Sequence, residues 1–258
     1  MLANKRVLIT GIADTASIAY AITLRCLDAG AEVLLTAPHR DIDRTTAIAA
    51  DLGLEAIELD ATNPEHWIAA TAAIAARWDH LDGAVHAIAY APASALHGTI
   101  LDADPEGLGL AFQTSVASYA WLGRLLNDLA PPLGGSLVGL DFDASRAWPT
   151  YNWMGVCKAA LEATNRYLAR DLAARNIRAN LIAAGPITTR AASAIPGFDL
   201  LLNAWEHQAP LHWDPTDPAP VADAACFLLS DMARGTTGEI LHVDSGFHAM
   251  ATALTTRP

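Results

Sequence analysis

The chain has 258 residues, 52% hydrophobic and 17% charged, which suits a deep globular core and excludes a disordered chain. Sixteen basic residues against 28 acidic ones give a formal charge of -12, which repels nucleic acid and anionic membrane surfaces, and no basic run relieves it. No stretch of about 18 apolar residues is free of charge and turn residues, and Met1 to Arg6 runs straight into strand-like sequence rather than a signal-peptide core, so a soluble cytoplasmic protein is expected.

The first strand is predicted at 5–10 and the first helix at 18–29, with Gly11 at the turn between them. A glycine ending a strand allows a tight turn, and the helix N-terminus offers N–H groups and a positive dipole end to a pyrophosphate. The three-glycine dinucleotide fingerprint is absent, so a plain connection capped by Ser17 or Thr15 stays open beside that reading. Further strands are predicted at 31–36, 55–59, 83–89, 136–141, 178–183 and 239–243. Helices are predicted at 41–52, 64–77, 105–130, 151–175 and 221–230. This alternation predicts an α/β protein: one domain over 1–258, a Rossmann-type doubly wound sheet of about seven parallel strands. Such a sheet binds ligands beyond the carboxyl ends of its strands. Cys26, Cys157 and Cys226 lie far apart without Cys-x-x-Cys spacing, and no histidines are spaced as a helical metal pair, so no disulfide or metal is assigned.

Only two lysines occur among the 16 basic residues, Lys5 and Lys158, and Lys158 stands seven residues after Tyr151. At about 100° per residue, positions seven apart differ by about 20° in azimuth, so both project from one helix face. Tyrosine is protonated at neutral pH and can donate to developing oxyanion charge. A nearby ammonium eases that donation, and its compact donors can hold ribose hydroxyls in a way a guanidinium fork cannot. A core tyrosine beside a snorkelling surface lysine is the bland alternative.

With these residues the chain resembles the short-chain dehydrogenase/reductases, and among them the trans-2-enoyl-acyl carrier protein reductases, NADH-dependent mycobacterial-type branch. Classical members place Lys four positions after Tyr, a spacing that none of the five tyrosines here has; the enoyl reductases use Tyr, six residues, Lys. Residues 11–19 are similar to the family's phosphate turn, which implies cofactor contacts at Gly11, Ala13, Ser17 and Ile18. The resemblance implies further cofactor contacts at Asp60 and Ala61 after the third strand, where the family holds adenine. It adds Ala87, Ile88 and Ala89 after the fourth strand, and Ala184, Gly185, Pro186, Ile187 and Thr189 near the nicotinamide. Ala87 and Ala89 stand where relatives often have Ser and Gly. The segment 139–154 is similar to the mycobacterial-type branch, including Phe142 where many relatives carry a second tyrosine.

By that resemblance hydride passes from NADH to C3 of a 2-enoyl thioester, Tyr151 stabilises the enolate oxygen, Lys158 holds the nicotinamide ribose and Phe142 helps to position the thioester. Tyr90, Phe198, Leu201, Leu202 and Trp205 would line the acyl chain, the last four forming an apolar helical stripe in a lid at about 190–210. The same stripe suits simple packing on the core. The lid is shorter than in the mycobacterial-type branch, which implies short to medium acyl chains. Phe198 to Gln208 contains no Lys or Arg, which leaves the acyl carrier protein and coenzyme A both open as carriers. Strand two ends without an acidic ribose acceptor and with Arg40 near by, so NADPH stays open beside NADH. A homotetramer built through the long helices is expected. A carbonyl or imine reductase of a biosynthetic pathway, or a dinucleotide sensor without turnover, are the alternative functions.

Overall fold

The computed structural model describes residues 1–149 and 151–251; the remainder of the expected 1–258 domain lies outside the described residues. Seven parallel strands form one sheet in the order β3-β2-β1-β4-β5-β6-β7. They are β1 Arg6–Thr10, β2 Glu32–Ala37, β3 Glu55–Glu58, β4 Gly83–His86, β5 Gly135–Asp141, β6 Ile177–Ala184 and β7 Ile240–Val243. Strand order reverses between β1 and β4, which opens a crevice at their carboxyl ends.

Side chains alternate along each strand, so one sheet buries two cores. Leu8, Leu34, Ala84, Leu137 and Leu181 join one apolar cluster, and their neighbours Ile9, Leu35, Val85, Val138 and Ile182 join the other. The helices α1 Ile18–Asp28 and α2 His39–Asp51 cover the second face, while α3 Pro64–Arg77 covers the first. Beyond β4 come a short helix α4 Ala93–Leu96, then α5 Pro105–Phe112, a π turn Gln113–Ala117 and α6 Ser118–Leu129. The long α7 Asn152–Leu172, α8 Phe198–Gln208 and α9 Ala219–Leu229 complete the layers.

Two differences from the sequence expectation matter for the site. Strand four stops at His86 rather than 89, because its partner β1 turns away at Gly11 and pairing ends. The expected helix at 105–130 runs unbroken to Leu129 but widens into a π turn at Gln113–Ala117, where Ser115 and Ser118 bond Tyr90 and His86 at and after the end of β4. A one-residue π bulge leaves the apolar period almost unchanged, so it escapes a pattern reading.

Candidate active site

Gly11 adopts φ +81°, and a Cβ there would stand 2.1 Å from the Ala87 carbonyl oxygen. Only glycine allows the loops after β1 and β4 to meet so closely. Ser17 caps α1, accepting the Tyr20 N–H at 3.2 Å while its hydroxyl donates to the Asp14 carbonyl. The capping reading of Ser17 is therefore realised. The first turn of α1 carries no acidic side chain, whereas α2 and α3 carry Asp41 and Glu65 there, so the positive end of α1 is left for an anion. After β3, burial pushes the Asp60 carboxyl up, but two hydrogen bonds from Thr62, with His66 and Arg40 near by, outweigh this and hold it below its ordinary value. Ala61 beside it is buried.

The residues following β4 line the crevice: Ala87 and Ile88 are half-buried, Ala89 and Tyr90 exposed. The Tyr90 backbone exchanges two hydrogen bonds with the Ser115 hydroxyl from the π turn, and the Arg40 guanidinium lies 5.7 Å from the Tyr90 ring centroid. Ala184, which ends β6, and Gly185, Pro186 and Ile187 after it are buried, and Thr189 is half-buried. The indoles of Trp213 and Trp205 press on Gly185, where a Cβ would lie within 3 Å of both.

Tyr151 and Lys158 stand on one buried stripe of α7 with Asn165 and Leu172, a seven-residue repeat. Tyr151 is the N-cap residue, and Asn152 next to it is held at φ +36° by hydrogen bonds from its amide to the Leu96 and Gly98 carbonyls. Lys158 donates from Nζ to the Leu140 carbonyl at 2.8 Å. It is not a surface lysine: it is 6% exposed, and burial lowers its pKa against the pull of Asp141 and Cys157. Burial first, then the charges of Asp141 and Cys157, holds the Tyr151 phenol well above its ordinary value. The expected easing of proton donation by the lysine does not show among these influences, and Tyr151 stands as a protonated hydrogen-bond donor. The Phe142 ring lies 5.1 Å from both Tyr151 and Trp148 and 5.7 Å from Trp205, so Tyr151 is backed by an aromatic wall.

The family model described as Enoyl-(Acyl carrier protein) reductase matches residues 11–248. This chain belongs to that family. An NADH enoyl-[acyl-carrier-protein] reductase of Mycolicibacterium smegmatis is 40% identical over 95% of this chain and 97% of its own length. One from Aquifex aeolicus is 39% identical over 97% and 93%. A crystal structure of an enoyl-(acyl-carrier-protein) reductase from Anaplasma phagocytophilum in complex with NAD superposes with a TM-score of 0.92 at 35% identity, covering 98% of this chain and 97% of that one.

Within this enoyl reductase chain the apolar stripe expected to form a lid is divided. Leu201 and Trp205 are 2% and 3% exposed, and the Trp205 indole donates to the Asp244 carbonyl and stacks on Phe247 at 3.7 Å, so these two pack on the core. Phe198 and Leu202 stay half-buried on the same helix. Among the buried polar residues that the sequence reading gave no catalytic or cofactor role are His86 and Asp141. His86 is fully buried, and burial, then the Lys158 charge, pulls it down to about 3, so it is neutral. The Ser118 hydroxyl donates to the Thr114 carbonyl, so His86 Nε2 donates to Ser118 at 2.7 Å, leaving Nδ1 as an acceptor without a partner among the described residues. A polar residue at the carboxyl end of a strand that a parallel sheet buries on both faces is the signal that would have marked both.

Proposed function

We propose that the protein reduces the carbon–carbon double bond of a trans-2-enoyl thioester with NADH, as an enoyl-[acyl-carrier-protein] reductase of fatty-acid or related acyl biosynthesis. The observation that carries this reading is Tyr151, a buried protonated phenol seven residues before a buried lysine, in a chain whose relatives bear that name. The decisive experiment is NADH oxidation with enoyl thioesters against ketone controls.

The residues fit a dinucleotide: Gly11 and the acid-free first turn of α1 leave room and positive potential for a pyrophosphate. Gly11, Ala13, Ser17 and Ile18 would hold it, Asp60 and Ala61 the adenine, and Ala87, Ile88 and Ala89 the middle of the cofactor. Lys158 would hold the nicotinamide ribose, with Ala184 to Ile187 and Thr189 beside the ring. When bound, NADH supplies the hydride that C3 receives. Tyr151 donates its hydrogen bond to the thioester oxygen as that oxygen becomes an enolate, and Phe142 and Trp148 keep water from it. Arg40 is paired with Asp41 at 3.4 Å, which supports NADH over NADPH.

Lys158→Ala should weaken NADH binding more than tenfold in a fluorescence titration, because a ribose hydroxyl that loses a charged partner forfeits about 1.5–3 kcal/mol. Unchanged affinity would remove Lys158 from the ribose role.

The acyl chain is carried as a thioester on acyl carrier protein, as the relatives' names have it, with Tyr90, Phe198 and Leu202 along its path. Since α8 offers no Lys or Arg, any docking charge lies elsewhere. We read 1–258 as one cytoplasmic reductase domain with its lid at about 190–210; no described helix is long and apolar enough to cross a membrane. A homotetramer is the assembly we favour, because Phe112, Trp153 and Val156 line an apolar groove of about 410 Å³ on α5 and α7 that a second copy can cover. Light scattering at micromolar concentration should give four chains, and a monomeric mass would refute it.

A further inference from the structure

Asp141 closes β5 and is the only acidic residue of that strand. It is 5% exposed, and neither carboxyl oxygen has a hydrogen-bond partner among the described residues. An ionised carboxylate in such a place is costly unless it is paired or takes up a proton. The residue before it, Leu140, gives its carbonyl to Lys158, and the residue after it, Phe142, lays its ring against Tyr151. The chain thus threads Asp141 between the supports of the two proposed catalytic groups.

The charged and titratable groups that face it come from several elements. Helix α7 presents Lys158, Glu162 and Tyr151; α6 presents Tyr119, whose hydroxyl is given to Asn165; the loop after β5 presents Asp143. Neutral His86 on β4 faces Lys158, and β6 sets Ala183 beside Asp141 in register. Burial pushes the Asp141 carboxyl up to about 7; Lys158 and the nearby Phe142 backbone N–H oppose this, and Glu162 and Asp143 add to it.

We propose that Asp141 is a positioning residue that gates turnover through Tyr151: as a neutral acid it lets negative charge build on the oxygen that Tyr151 holds, and as a carboxylate it opposes that charge. The role rests on the enoyl reductase reading above. Its warrant is the placement of a buried, unpartnered carboxyl between the residue that holds Lys158 and the residue whose ring packs on Tyr151; a charge there disfavours a phenolate at Tyr151, and the same repulsion acts on an enolate oxygen bonded to it.

Two readouts follow. The folded-state pKa is raised above the ordinary carboxylate value of about 3.9, so the folded chain holds a proton that the unfolded chain has lost. The resulting stability is fully present below about pH 4 and is lost as pH rises through about 7. The experiment compares the wild type with Asp141→Asn, near-isosteric and always neutral, and with Asp141→Ser as a second neutral variant. First, Tm is recorded against pH without NADH or substrate. The wild type should lose Tm between about pH 4 and 7 relative to the variants and run parallel to them above that. Second, kcat is recorded with a short enoyl thioester at saturating NADH. The wild type should fall several-fold as pH rises through about 7, and the variants should show no such fall. Identical Tm curves, or variants that keep the wild-type inflection in kcat, would overturn the proposal. A wild type that turns over no enoyl thioester would count against the proposed function instead, while the Tm curves still report whether Asp141 titrates.

Discussion

Tyr151→Phe should lower kcat by about 10²- to 10³-fold and leave NADH affinity within about twofold, the loss expected for one oxyanion donor in a dry site. The ring packs against Phe142, whose plane also meets Trp148 and Trp205, and phenylalanine keeps all of that contact area. What disappears is one hydroxyl that burial and the Asp141 charge keep protonated. Steady-state kinetics beside a fluorescence titration of NADH check this. A kcat within threefold or so of the wild type would exclude Tyr151 from transition-state stabilisation.

Gly11→Ala should lower Tm by about 5–15 °C and abolish measurable NADH binding. Its Cβ would stand 2.1 Å from the Ala87 oxygen and 2.7 Å from the Ala87 carbonyl carbon, both backbone atoms that no rotamer change can move. The φ of +81° adds a further 1–2 kcal/mol or so for any residue with a Cβ, on top of about 1–3 kcal/mol for overpacking. Relief requires parting the loops after β1 and β4, the two loops that form the crevice. Thermal melts with and without NADH separate the two effects. A stable variant that binds NADH normally would show that the close approach of these loops is dispensable.

The architecture was legible because its signals are periodic. Seven short apolar runs alternate with helical stripes, and the strands found match them to within a few residues at most ends. The largest boundary error, β4, arose from reading apolar Ala87, Ile88 and Ala89 as strand, when pairing had already ended with the turn of β1. The Tyr151 and Lys158 pair was legible from spacing and from the rarity of lysine, and both residues are buried on one stripe of α7. Its electrostatics were not. A lysine seven residues away suggested an eased tyrosine, but burial dominates, and burial depends on Phe142 and Trp148 from the loop after β5 meeting Trp205 from α8. Helical spacing likewise placed Phe198, Leu201, Leu202 and Trp205 on one face without showing that Leu201 and Trp205 face the core. His86 and Asp141 sit within strands whose apolar neighbours carried the pattern, so their chemistry emerged only with the fold.

The central claim is that Tyr151 and Lys158 serve reduction of a carbon–carbon double bond next to a thioester. Loss of NADH absorbance with 2-enoyl thioesters of about four to sixteen carbons, beside matched ketone and imine substrates, tests it most directly. The account predicts oxidation with the enoyl thioesters and none with the ketones or imines, and, if the segment at about 190–210 is the short lid proposed above, kcat/KM levelling off at medium length, since each added methylene gains about 0.8 kcal/mol only while it is covered. Oxidation with a ketone or imine and none with any enoyl thioester would contradict it.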